Sequence, residues 1–184
     1  MRRTPWLLGL ATLALAALIA APASTTVIQY LDVEQMSQIA AVVAVGEVER
    51  VESGWNDEQT KIYTRITIRT EEVIKGDRGL ESVTLKLIGG QVGEHVAKLP
   101  GTPVFEPGQR VLCFLEPRED QDGYLLIGMF QGLFRLDEST VGDDLLFQDL
   151  PPQGVSIIDN ARHPATSQMV SLPEIRRIVR GGAR

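Results

Sequence analysis

One cysteine, two histidines and ten aromatic residues are all that this 184-residue chain holds in those classes. A single thiol cannot close an internal disulfide, so the chain is not a small disulfide-stapled scaffold. Zinc needs three or four well-spaced His, Cys or carboxylate ligands. His95, His163 and Cys113 are far apart, and there is no H-E-x-x-H pair. No metal site and no other cofactor is expected. Basic residues are also short, with 18 Lys and Arg against 24 Asp and Glu. Phosphate recognition needs a basic patch, so nucleic acid is excluded as a partner. There is no G-x-S-x-G elbow and no G-x-x-x-x-G-K-[ST] phosphate loop. Gly89-Gly90-x-x-Gly93 follows a strand pattern, but no helix pattern opens after it. Its glycines read instead as a sharp strand exit.

What is present begins at the first residue. Met1-Arg2-Arg3 is a charged opening, Trp6 to Ala21 is apolar or small apart from Thr12, and Ala21-Pro22-Ala23 is a small-x-small site. These are the three parts of a bacterial-style signal peptide, read here as residues 1–23. The sixteen residues from Trp6 to Ala21 would rise about 24 Å as a helix, short of the ~30 Å hydrocarbon core. Cleavage is therefore expected rather than a stable membrane span. No cysteine near the site offers a lipid anchor. Cleavage after Ala23 leaves 16 basic and 24 acidic residues, a formal charge of −8. Such acidity keeps an exported protein soluble. The expected location is periplasmic or secreted.

The remaining chain reads as mainly β. Asp32 and Gln35 make a capping box for a short helix, with Val33, Met36, Ile39 and Ala40 on one apolar face. Ala41–Val45 reads as a strand covered on both faces, and Gly46 as a bulge. Ser53–Thr60 reads as a hairpin loop. Ile62, Thr64, Ile66 and Ile68 alternate with Tyr63, Arg65, Thr67 and Arg69, giving one buried and one solvated face. Val83, Leu85 and Leu87 repeat the pattern. In Arg110–Glu116, Val111, Cys113 and Leu115 oppose Leu112 and Phe114, as in a central strand. Strands are also read at Tyr124–Phe130, Leu133–Leu136 and Leu145–Phe147. Gly89–Gly108, with five Gly and three Pro, reads as a long irregular loop. Residues 24–150 would be the barrel domain and 151–170 an arm or linker. Residues 171–184 would be an amphipathic helix docked on the barrel through Leu172, Ile175, Ile178 and Val179, started by Ser171 and Glu174. These elements predict a small OB-like closed or partly open β-barrel with a short N-terminal helix. A sandwich also satisfies the turn spacing.

Several segments together resemble a family of uncharacterised exported bacterial proteins. They are Val45-Gly46-Glu47-Val48, Glu71 to Asp77, Gly89 to Gly93, Phe105 to Leu115 and Gln131 to Leu136. The order of segments is distantly similar to the OB-type barrel of netrin-like and tissue-inhibitor-of-metalloproteinase domains. That resemblance implies a fold and no activity. Those inhibitors use an N-terminal Cys to chelate zinc, whereas the expected mature start here is Ser24.

The candidate carboxylates do not form an evident catalytic pair. Glu71-Glu72 and Asp143-Asp144 are adjacent, and adjacent strand residues point to opposite faces. The acidic tip Glu119–Gly123 lacks a full calcium-loop pattern and reads as a solvated turn. The expected function is a non-enzymatic exported module binding an envelope or extracellular protein, peptide or glycan. The alternative is an extracytoplasmic hydrolase using carboxylates assembled by the fold. The candidate binding loop carries Gly89, Gly90, Gly93, His95, Lys98 and Phe105; its structural alternative is a cover over one barrel end.

Overall fold

A computed structural model describes residues 26–136, 145–149, 155–158 and 169–181. The expected signal peptide and the Asp143-Asp144 pair lie outside these. The described elements are β1 (Thr26–Gln29), α1 (Val33–Ile39), β2 (Val42–Trp55), β3 (Ile62–Lys75), β4 (Ser82–Ile88), β5 (Gly90–Val92), β6 (His95–Ala97) and β7 (Arg110–Pro117). They continue with β8 (Tyr124–Leu126), β9 (Leu133–Leu136), β10 (Leu145–Gln148), β11 (Val155–Ile158), β12 (Met169–Ser171) and α2 (Leu172–Gly181).

Five strands close a ring in the order β2-β3-β4-β8-β7 and back to β2. Neighbours are antiparallel except β4 and β8, which meet in parallel at Leu85 and Tyr124. This is an OB-like barrel. Closure removes the free edges that an open sheet of these strands would expose. Beyond β8, the same edge of β7 also carries β9, which continues the sheet to β10 and β12.

Alternation on β2 and β7 divides the protein into two cores. Val42, Ala44 and Val48 point into the barrel with Val111, Cys113 and Leu115, beside Ile66, Ile68, Val83 and Leu85. Val43, Val45, Leu112 and Phe114 point the other way, against Val33 and Met36 of α1 and Leu172, Ile175 and Val179 of α2. These two strands are covered on both faces, as their unbroken apolar runs require. The rings of Phe114 and Phe134 meet in the outer core at 5.9 Å and 58°.

Bulges let one long hairpin wrap both cores. The β2–β3 register shifts at Val45/Gly46 and again at Val48/Arg50. At Gly46 a side chain has no room: a Cβ would collide with the Arg69 carbonyl and approach Ile68 Cγ2 to 2.8 Å. The Asp32 capping box forms in full, with Gln35 N–H donating to Asp32 Oδ1 at 2.7 Å and Asp32 N–H to Gln35 Oε1 at 3.0 Å. Ile39 is 52% exposed and leaves the expected apolar face, because at helical spacing the buried stripe runs through Val33, Met36 and Ser37 and Ile39 falls to its side.

Four readings are corrected. β2 runs paired through Trp55, so the hairpin loop expected from Ser53 begins only at Asn56. The irregular loop at 89–108 contains the β5–β6 hairpin. Tyr124–Phe130 is strand only as far as Leu126; beyond it, Gln131 N–H and Gly132 N–H close turns onto Gly128 and Ile127. The arm at 151–170 contains β11, which pairs in parallel with β1, and the first residues of β12.

Candidate functional site

The barrel mouth opens between the upper ends of β2, β3 and β4 and the excursion from Gly89 to Phe105. It encloses a cavity of about 610 Å³. Val51, Ile66 and Leu87 form the floor, and Val96, Leu99 and Val104 form the rim. Phe105 is 6% exposed and belongs to the barrel core, so it plugs the mouth from below instead of offering a free ring. The excursion both covers one barrel end and leaves an apolar cavity beneath it.

The two glycines at the start of the excursion are required by space and by backbone. Gly89 and Gly90 have φ of 105° and 132°, in the region that favours glycine. A Cβ on Gly90 would overlap the hydroxyls of Ser53 and Thr64. Those hydroxyls lie 2.8 Å apart, and Thr64 Oγ1 donates to the Gly89 carbonyl at 2.7 Å. They hold the sharp exit from β4. Gly93, with φ of 59°, turns β5 into β6.

Arg135 pins the far side of the rim. Its Nη2 donates to the Val104 carbonyl at 2.8 Å and its Nη1 to Gln109 Oε1 at 2.7 Å. Its Nε donates to Asp149 at 3.0 Å. One guanidinium from β9 therefore fixes the loop segment that carries Val104.

The expected site residues are brought partly together. Lys98, Gly89, Gly90 and Phe105 line the mouth. His95 faces a neighbouring hollow, where its ring packs edge-on against Trp55 at 5.4 Å. Gly93 sits at the exposed hairpin tip and lines none of these cavities. The sequence reading included Val96, Leu99 and Val104 in its candidate loop without singling them out and missed Trp55 and Ile88; all five are at least 40% exposed. A signal was available, since Leu99 and Val104 are large apolar residues inside a Pro- and Gly-rich stretch that offers them no strand to pack on.

A second hollow of about 280 Å³ lies on the outer face of the same strands. Arg65 grips Asp122 with Nη1 at 2.8 Å and Nη2 at 2.6 Å. Lys86 Nζ reaches the same carboxylate at 2.6 Å and stands 5.0 Å from the centre of the Tyr63 ring. The Arg65 hydrogen bonds, then that of Lys86, hold Asp122 well below the usual carboxylate range. Arg118 does the same for Asp120, which falls to about 2. Glu71 pairs with Arg110 and Glu72 with Arg176 and Arg180.

Among the described residues, no three His, Cys, Asp or Glu side chains are grouped to hold a metal ion, and no helix is long and apolar enough to cross a membrane. Comparison with protein-family models, with curated proteins and with solved structures found no significant match.

Proposed function

We propose that this protein is an exported, non-enzymatic binding module whose barrel mouth takes an apolar stretch of a protein or peptide. One observation carries the reading. Of the eight large hydrophobic side chains exposed among the described residues, four line this single cavity: Ile88, Val96, Leu99 and Val104. Scattered exposed apolar residues need no explanation, but a rim of them over a concave apolar floor marks a binding site. Pro100 and Pro103 stiffen the rim, and Arg135 anchors it. A preformed wall loses less entropy when a ligand arrives. The apolar lining favours polypeptide side chains over sugar hydroxyls, which would lose hydrogen bonds to water there. Export is supported by the charged, apolar and small-x-small segments at the N-terminus.

Asp120 and Asp122, the described carboxylates with the largest shifts, do not favour the hydrolase alternative. A carboxylate acid works with a raised pKa, whereas Asp120 and Asp122 are held down by their cationic partners. Panning a random-peptide display library against the full chain tests the proposal. Apolar peptides should enrich, and Leu99→Asp or Val104→Asp should weaken them at least tenfold, while Ile39→Asp should not. Failure to enrich, or equal binding by the Asp variants, would contradict the reading.

A further inference from the structure

We propose a second ligand site on the outer face of β2–β4, built to bind a neutral oligosaccharide. The hollow there is formed by Tyr63, Arg65, Lys86, Asp122 and Trp55, with Gly54 leaving it open. It is distinct from the barrel mouth, because Tyr63 and Arg65 alternate with the inward residues Thr64 and Ile66 along β3. Gly54 pairs directly with Tyr63 across the β2–β3 ladder, so the two share a face. Glycine supplies no side chain beside the ring, and a Cβ built there would meet nothing within 4 Å. Lys86 stands over the Tyr63 ring, whereas the position across the ladder at Gly54 is left without a side chain.

The chemistry of the walls selects the ligand. Sugar rings present C–H groups that pack on the negative face of an aromatic ring, and hydroxyls that need fixed donors and acceptors around it. Tyr63 supplies the aromatic surface, with Lys86 Nζ 5.0 Å from its ring centre; Trp55, one register step along β2, borders the hollow from the other face, its ring edge-on to His95. Arg65, Lys86 and Asp122 hold one another in place through three short bonds. Their remaining donors and lone pairs are thus pre-oriented, which lowers the entropy lost on binding. Asp122 offsets one of these two positive charges. With Glu52 and Asp57 also at the rim, a sulfated or phosphorylated ligand would meet net negative charge. A neutral sugar would not.

The test uses the full chain carrying Trp6→Phe, which leaves Trp55 as its only tryptophan. Cellotetraose, maltotetraose and chitotetraose are titrated while Trp55 emission and heat of binding are followed. A heparin-derived tetrasaccharide is titrated as the anionic probe. At least one neutral sugar should bind saturably. Gly54→Val should weaken it at least tenfold by filling the hollow, with an unchanged melting temperature showing that the fold is intact. Tyr63→Ala should weaken it similarly, and Val104→Asp should have no effect. The last variant separates this site from the barrel mouth. No binding by any neutral sugar below about 10 mM, binding of the anionic probe alone, or full affinity in Gly54→Val would each overturn the proposal.

Discussion

Cys113 shows how burial sets the chemistry of one atom. It lies in β7 with 1% exposure, facing the barrel interior. Desolvation pushes its thiol up to about 12, against a smaller opposing pull from Arg135. The native fold therefore holds the thiol proton more tightly than the unfolded chain does. Its contribution to stability is complete below the ordinary value of 9.0 and is lost as pH rises from there toward 12. Native protein at pH 8 should react with a thiol reagent far more slowly than protein in denaturant. Cys113→Ala should lower stability by about 1–3 kcal/mol at neutral pH. It should also lose the part of the alkaline decline that belongs to the thiol, which paired pH titrations of unfolding would reveal. Gly46 makes the complementary case, where the backbone itself needs the space. Gly46→Ala would drive a methyl into the Arg69 carbonyl, because the backbone of β3 lies close against Gly46 at that bulge. A loss of about 2–3 kcal/mol or more is expected by denaturant unfolding.

Among the elements, α2 depends most on its neighbours. Ten residues are too few for a helix to persist alone in water. Leu172, Ile175 and Val179 are buried against α1 and the outward residues of the barrel, with Ile178 at the edge of the seam. Arg176 and Arg180 both reach Glu72 of β3, Arg176 at 2.6 Å. Ile175→Ala should cost on the order of 2–4 kcal/mol, and Ile175→Asp more, because it buries an unpaired charge. Arg177→Ala should change little, since that side chain is 72% exposed. Thermal unfolding of the three variants checks the series. If Ile175→Asp melts like the parent, the helix is not part of the core.

Elements with a clear period were legible in the sequence. The alternation from Ile62 to Ile68, the two-sided run of β7 and the α2 stripe each announce which side is buried. Several short elements were not. Three-residue strands such as β5, β6 and β12 complete too few alternations to stand out from a loop. The parallel pair of β1 with β11 joins residues about 129 apart, so no local pattern reveals it. In the candidate site, Gly89 and Gly90 were readable as a strand exit, because left-handed backbone calls for glycine. The Arg65–Asp122–Lys86 cluster was not, because strand closure brings Asp122 to β3 from 57 residues away.

The whole molecule is a closed barrel with one wall thickened by two helices and the opposite end left apolar. Helices, β9 and β10 bury the outward residues of β2 and β7, so the acidic surface and the barrel mouth remain for contact with other molecules. If the chain is exported as proposed, protein recovered from the envelope or medium should begin near Ser24. N-terminal sequencing decides this, and a start at Met1 would contradict export by cleavage. The central claim is that the barrel mouth binds a polypeptide. Methyl NMR of the full chain, titrated with a peptide enriched by display, tests it most directly. Shifts confined to the methyls of Val51, Ile66, Leu87, Val96, Leu99 and Val104 are predicted. Perturbation at Val27, Ile39 or Ile178 with a silent mouth would contradict the account.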